Sequence, residues 1–319
     1  MNYPSAKISS KTSAKIRSKT LKPLGYIGCQ WTVASKLLSQ VPGLETASHY
    51  AEIFGGSAAV LFQRPKSEVE VYNELNPFVF NFFKVLRDYP DDLSYIIRLM
   101  LMEYDYPFEF YANERQSFFD RHAMNTVFTF KEKIDYAAAC WIYSHISFRG
   151  EGDRWNSQLS PDRLVGVKLN LAKRMNHLKE SSVRLRDVFL LNHDAKSCIR
   201  TLASNFPKTL LYIDPPFPNY CRTGKDKRHT VGTTRLQYKY DMLSDPEHID
   251  LIQLVLASPN PFVICTYKKA QSSADETPTL YDDYLLNQDK RGVEFVDIPT
   301  KDLARNQKEL RVYYSNPTS

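Results

Sequence analysis

The residues best suited to chemistry are Asp214-Pro215-Pro216-Phe217, directly after the apolar run Thr209-Leu-Leu-Tyr-Ile213. Proline has no N–H for a sheet and fixes φ near −65°, so the pair of prolines must end that strand rigidly. A carboxylate and an aromatic face are then held at the carboxyl end of a strand, where open α/β sheets place their ligands. Asp214 and the neighbouring carbonyls can accept hydrogen bonds from an amino group, and Phe217 can stack on a flat heteroaromatic ring. An Asp-Pro turn that merely ends a core strand satisfies the same four residues.

A second constellation lies upstream. His49-Tyr-Ala-Glu-Ile-Phe54 has strand character and runs into Gly55-Gly56-Ser57-Ala58-Ala59, then into a helix through Phe62. Strand, glycine turn and helix bring a nucleotide-like ligand close to backbone N–H groups. The glycines fall short of a Gly-x-Gly-x-x-Gly pyrophosphate cradle. The next strand, Val69-Glu-Val-Tyr72, ends in Asn73-Glu74, and that acid stands eighteen residues after Gly56. The spacing is close to the one at which a second-strand carboxylate takes ribose hydroxyls. Two further stretches suit a polyanion: Ser147-Phe-Arg-Gly-Glu-Gly-Asp-Arg-Trp155, with Arg149, Arg154 and Trp155, and the basic run from Arg222 through Lys225 to Arg228. Arginine and tryptophan in a glycine-broken loop fit phosphate or base contact, and an ordinary surface loop has the same composition.

Charge is distributed unevenly over the 319 residues. The net charge is +6, and residues 1–22 hold six cations (Lys7, Lys11, Lys15, Arg17, Lys19, Lys22) and no acid, so the remainder is formally neutral. That segment is also a repeat: Ser5–Thr12 returns with one change as Ser13–Thr20. Its Ser/Lys/Thr composition cannot build a core, which predicts a disordered arm that either follows nucleic-acid phosphates or is simply solvated. Five scattered cysteines (29, 140, 198, 221, 265) without a Cys-x-x-Cys pair point to reduced thiols rather than a disulfide frame or zinc site. No histidine has metal-ligand spacing, and no metal is expected. No apolar run suits a membrane span and no hydrophobic leader opens the chain, so a cytoplasmic location is expected.

These residues need a frame. Strand patterns at His49–Phe54, Val69–Tyr72, Val183–Leu191, Thr209–Ile213, Pro261–Tyr267, Val293–Ile298 and Glu309–Ser315 alternate with helical ones, predicting an α/β fold with a mostly parallel sheet. Pro77, at a first helical position, precedes an apolar stripe of Phe78, Phe82, Val85 and Leu86 that reads as core. Residues 90–180 read as mainly helical, and Ser244-Asp-Pro-Glu247 is a capping box that opens a helix through Leu256. Tyr26-Ile-Gly28-Cys-Gln30-Trp31 is a small-residue turn between aromatics.

In chain order, Tyr26-x-Gly-x-x-Trp31, Glu52-x-Phe-Gly-Gly-Ser57, Val71-Tyr-Asn-Glu74 and Asp214-Pro-Pro-Phe217 resemble the motifs of the Dam-type DNA adenine methyltransferases, particularly those of phages and prophages. The resemblance covers roughly residues 21–316. It implies a Rossmann-like sheet that uses S-adenosylmethionine, with residues 23–94 and 181–319 as catalytic domain, 95–180 as inserted target-recognition region and 1–22 as basic tail. It implies that Tyr26, Gly28, Gln30, Phe54, Gly55, Gly56 and Ser57 hold the methionine end of the cofactor. Asn73 also contacts the cofactor, Glu74 takes the ribose, Asp194 faces the cofactor's adenine, and Asp214 to Phe217 form the pocket for a flipped-out adenine. Arg149, Arg154, Trp155, Arg222 and Lys225 become contacts to double-stranded DNA. A monomer in the cytoplasm of a bacterial or phage-infected cell, in a restriction-modification setting, completes the expectation. Three positions depart from the family pattern: Gln30 replaces a lysine, Ala58 replaces a glycine, and Phe217 replaces a tyrosine. Methylation of another amine (cytosine N4 or RNA adenine), or DNA binding without catalysis, are the alternatives. Asp at position 214 favours adenine, and the intact Asp-Pro-Pro-Phe motif favours an enzyme.

Overall fold

The structure is a computed structural model that describes residues 22–26, 30–102, 108–146, 161–218, 242, 244–268, 278–287, 292–301 and 307–315. Its centre is a seven-stranded sheet in the order β3-β2-β1-β4-β5-β7-β6. The strands are β1 (His49–Glu52), β2 (Val69–Asn73), β3 (Val188–Leu191), β4 (Leu210–Ile213), β5 (Phe262–Tyr267), β6 (Val293–Lys301) and β7 (Gln307–Ser315). Strands β1 to β5 are mutually parallel, and β7 pairs antiparallel with both β5 and β6. The fold is therefore α/β with a mostly parallel sheet of Rossmann-like type.

The order places the site. From β1 the chain steps outward to β2 and β3, then returns to lay β4 on the other side of β1. The reversal leaves a crevice between β1 and β4 at their carboxyl ends, where doubly wound sheets bind ligands. In β4 all four residues are buried, as expected of a parallel strand covered on both faces. Alternation divides its side chains: Leu210 and Tyr212 join one core, Leu211 and Ile213 the other. The same period puts Tyr50 in the first core and Ala51 and Ile53 in the second, so Glu52 points to the side of Tyr50 and Tyr212.

The helices are α1 (Ala34–Gln40), α2 (Ala59–Gln63), α3 (Pro77–Asp88), α4 (Pro90–Met102), α5 (Phe108–Ala123), α6 (Phe130–Ile146), α7 (Pro161–Met175), α8 (Leu178–Leu185), α9 (Ala195–Asn205), α10 (Asp245–Ala257) and α11 (Leu280–Asp282), the last continuing as a π-turn, Asp283–Asn287. The aromatic stripe of α3 is core, with Phe78, Phe82, Val85 and Leu86 all buried. Asn76 caps that helix by accepting from the Phe78 N–H at 3.1 Å. Helices α3 to α8 share the first core, and α6 is buried continuously from Tyr136 to Tyr143. Helices α9 and α10 cover the opposite face. The Ser244 N–H donates to Glu247 at 3.1 Å, closing the expected box at the start of α10.

One expected strand is too long. Val183–Leu185 ends helix α8 instead of beginning a strand, and only Val188–Leu191 joins the sheet. The apolar run from Val183 to Leu191 is compatible with either period, and tertiary packing decides it. Helix α9 and the segment from Leu280 to Asn287 carry no strong sequence signal and appear only in the structure.

Candidate functional site

A cavity of about 650 Å³ opens at the carboxyl ends of β1, β2 and β4. Its first wall is the turn between β1 and α2. Gly55 donates its N–H to the Asn73 carbonyl at 2.8 Å, and Ala58 closes the turn by donating to Gly55 O at 2.8 Å. A Cβ on Gly55 would lie 2.2 Å from the Tyr72 ring, so no larger residue fits. Gly56 has φ +49° and lies under the Tyr26 ring, 3.3 Å from where its Cβ would be. The Tyr72 hydroxyl donates to Gly56 O at 2.8 Å. Ala58 also takes a left-handed conformation, φ 55° and ψ 35°, at a cost of about 1–2 kcal/mol for a residue with a Cβ. The glycine-to-alanine departure thus sits at a strained position.

The second wall is the end of β2. Glu74 is buried, and its carboxyl accepts the Gly56 N–H at 2.7 Å on Oε2 and the Asn76 N–H at 2.8 Å on Oε1. It ties the glycine turn to the strand end and still lines the cavity. Burial pushes its carboxyl up to about 7 against the pull of those two N–H groups. Asn73 lines the cavity as well, but its amide donates to Ile53 O and His193 O at 3.0 Å each and accepts the His193 N–H at 3.0 Å. Its side chain pins three strand ends together. Asp194 is exposed and caps α9, accepting from the Lys196 and Ser197 N–H groups at 3.0 and 3.2 Å. Phe54 and Ser57 line the cavity too.

The third wall belongs to β4. Asp214, the residue after the strand, opens on the cavity with Pro215, Pro216 and Phe217. Burial pushes its carboxyl up to about 7, and a hydrogen bond from Gln30 pulls the other way. That bond runs from Gln30 Nε2 to Asp214 Oδ1 at 3.4 Å. The Phe217 ring meets Tyr267 edge to face, with centroids 4.6 Å apart and planes at 69°. Of the candidate residues, Tyr26, Gln30, Phe54, Gly55, Gly56, Ser57, Asn73, Glu74, Asp194 and Asp214 to Phe217 therefore share one cavity. Gly28, Arg149, Arg154, Trp155, Arg222 and Lys225 lie outside the described residues.

Two residues bear on this site without a role assigned to them from the sequence. Tyr267, at the end of β5, holds the Phe217 ring, and its place at a parallel strand end was the available signal. Glu52 is the other. It is 2% exposed, and its Oε1 accepts the Tyr50 hydroxyl at 3.0 Å and the Leu61 N–H at 2.7 Å. Its Oε2 has no partner, and burial pushes the carboxyl up to about 7. Behind it, the Arg64 guanidinium lies 4.1 Å over the Tyr50 ring and bonds Glu70, which Arg184 of α8 also grips. The motif Glu52-x-Phe-Gly-Gly-Ser57 includes this acid, but the strand pattern alone does not say that it is buried.

Five carboxyl groups, Glu52, Glu74, Asp194, Asp214 and Glu247, thus line one cavity. Its lysine, Lys196, is paired with Asp250 at 3.0 Å. Such a site suits a ligand carrying positive charge and amino hydrogens. Among the described residues no cluster of His, Cys, Asp or Glu is placed to hold a metal, and no helix is long and apolar enough to cross a membrane. No curated protein matches the chain. The D12 class N6 adenine-specific DNA methyltransferase family does match, over residues 26–229, a span that runs from Tyr26 through Asp214-Pro-Pro-Phe217. The match takes in more than half of the sequence, and by it the chain belongs to that family: it is an enzyme that methylates adenine N6 in DNA.

Proposed function

We propose that the cavity binds S-adenosylmethionine beside an adenine extruded from double-stranded DNA, and that Asp214 to Phe217 present the amine. The carrying observation is that Asp214-Pro-Pro-Phe217 and the Gly55–Gly56 turn, braced by Glu74, face each other across one cavity. The residues fit the cofactor. Gly55 and Gly56 bring bare backbone to the cavity wall, Glu52 Oε2 is an unused buried acceptor, and the carboxyl groups of the lining suit a cation. When bound, S-adenosylmethionine supplies an already activated sulfonium methyl.

The chain's own groups then have mainly to orient and stabilise. Asp214 and the Pro215 carbonyl accept the two N6 hydrogens, which turns the nitrogen lone pair out of the ring plane. Phe217, held by Tyr267, stacks on the base and offsets part of the few kcal/mol of unstacking. Glu74 has lone pairs left over from Gly56 and Asn76 for ribose hydroxyls. Asp194 spends Oδ1 on the α9 cap and offers Oδ2 to the cofactor's adenine. Asn73 acts by holding strand ends, and Tyr26 by lying on Gly56. Residues 95–180 serve as the target-recognition region, with Arg149, Arg154 and Trp155 on the DNA. Arg222, Lys225 and the basic residues of 1–22 add phosphate contacts, and the enzyme works as a monomer in the cytoplasm.

The test is incubation of the full-length chain with methyl-labelled S-adenosylmethionine and unmethylated duplex DNA, followed by nucleoside analysis. Labelled N6-methyladenosine of the deoxy series is expected. Label in N4-methylcytosine, or transfer to RNA alone, overturns the assignment of the pocket to DNA adenine.

A further inference from the structure

Gln30 and Asp214 are 184 positions apart and meet at the cavity. Gln30 opens the short 3-10 turn Gln30–Thr32, is 5% exposed, and directs Nε2 at Asp214 Oδ1 over 3.4 Å. The contact uses one oxygen of the carboxyl and leaves Oδ2 for another donor. Among the described residues, the other groups facing Asp214 bring no free positive charge. Burial, with the Asp214 charge, pushes the Tyr212 hydroxyl of β4 and the Cys265 thiol of β5 well above their ordinary values and keeps both neutral, and Glu52 from β1 and Glu74 from β2 share the cavity. Lys196, the lysine of the cavity wall, is spent on Asp250. Among the described residues of this cavity, the neutral Gln30 amide is the one side-chain donor bonded to Asp214.

We propose that Gln30 is the positioning residue of the amine acceptor: its amide fixes Asp214 Oδ1, turns Oδ2 to the adenine N6 hydrogen, and, by adding no charge, makes methyl transfer depend on the pH at which Asp214 loses its proton. This rests on the reading of Asp214 as amine acceptor. A carboxylate offers both oxygens as acceptors, whereas the protonated acid turns one of them into a donor aimed at the amine. The working form is therefore the anion, and the rate must rise with pH through the Asp214 titration, which burial has moved to about 7. Removing the Gln30 donor raises that titration further. A cation at position 30 lowers it.

The experiment measures kcat/KM for S-adenosylmethionine at saturating DNA over about pH 5.5 to 9, which reports the free enzyme's essential groups. It compares the full-length wild type with Gln30→Leu and Gln30→Lys. Gln30→Leu should lose about tenfold at its plateau, the scale of one neutral hydrogen bond, and its acid limb should move to higher pH. Gln30→Lys should move the acid limb to lower pH by about one unit or more, as for an opposite charge a few ångströms away. In both, S-adenosylmethionine affinity by calorimetry at pH 8 should change less than kcat. Acid limbs that superimpose in all three proteins, with rates lowered equally at every pH, overturn the inference and leave Gln30 a packing residue. If Gln30→Leu does not fold, the direction of the Gln30→Lys limb decides alone. A wild type that binds cofactor but transfers no methyl group overturns the reading of Asp214 as amine acceptor on which this inference rests, whereas superimposed limbs in an active enzyme overturn the inference alone.

Discussion

Replacing Glu52 by glutamine should stabilise the protein at alkaline pH and weaken its hold on the cofactor. Glu52 Oε1 already accepts from Tyr50 and Leu61, and a glutamine oxygen can keep both bonds. The change falls on Oε2, which is buried and unpartnered. Burial moves the carboxyl from an ordinary 4.5 to about 7. The folded protein therefore holds this proton more tightly than the unfolded chain does. The associated stability is fully present below pH 4.5 and is lost as pH rises through 7. At about 1.4 kcal/mol for each pH unit of displacement, ionised Glu52 costs the fold about 3 kcal/mol above pH 7. Glutamine removes that cost, so Glu52→Gln should be neutral near pH 4.5 and more stable by up to about 3 kcal/mol near pH 8. Urea unfolding at the two pH values reads the difference, supported by a melting temperature that rises by several degrees at pH 8 only. A variant that is equally or less stable than wild type at both pH values refutes the argument that ionised Glu52 is held at a cost.

The remaining expectations are briefer. Asp214→Ala should lower methyl transfer by about 100- to 1,000-fold, the scale for losing one preorganised hydrogen-bond partner of the reacting group. Calorimetric cofactor affinity should stay within a few-fold, and wild-type turnover in this variant would remove Asp214 from the chemistry. Gly55→Ala places a Cβ 2.2 Å from the Tyr72 ring and should cost about 1–3 kcal/mol by urea unfolding. Ala58→Gly, at φ 55°, should be close to neutral, since relief of strain and the entropy of glycine oppose each other. Deleting residues 1–22, which carry all of the net +6 charge, should flatten the salt dependence of DNA binding. The change is up to about 0.9 log units of slope for each phosphate that the arm neutralises. It should weaken specific and random duplexes alike; an unchanged slope means the arm does not touch DNA.

The parts of the site written in contiguous residues could be read from the sequence. Pro215 and Pro216 mark a strand end wherever they fall, and Gly55-Gly56 with Glu74 eighteen residues beyond Gly56 encode a turn and its brace. Partnerships could not be read. Nothing in the chain announces that Gln30 reaches Asp214, or that the Phe217 ring rests on Tyr267. Glu52 opens the motif Glu52-x-Phe-Gly-Gly-Ser57 but received no role, because one acid in a pattern of two does not reveal which face is buried. Asp194 and Asn73 show the converse. Both line the cavity, yet the Asp194 Oδ1 caps α9 and the Asn73 amide ties strand ends. The strand expected over Val183–Leu191 failed in its first residues because a short apolar run does not separate the two periods, and packing against α3 and α4 chose a helix for Leu178–Leu185.

The order of strands also bears on how the chain can fold as it is synthesised. β7 follows β6 in sequence yet lies between β5 and β6, and β6 is hydrogen-bonded to the sheet through β7. Until Gln307–Ser315 has left the ribosome, β5 keeps a bare edge and β6 has no strand to pair with. A nascent chain halted before this point exposes an unpaired strand rich in β-branched and aromatic residues, Phe262–Tyr267, a template for joining another copy edge to edge. The cavity walls on β1, β2 and β4 are by then already emerged. In this protein the strands that wall the ligand crevice precede in sequence the strand that closes the sheet.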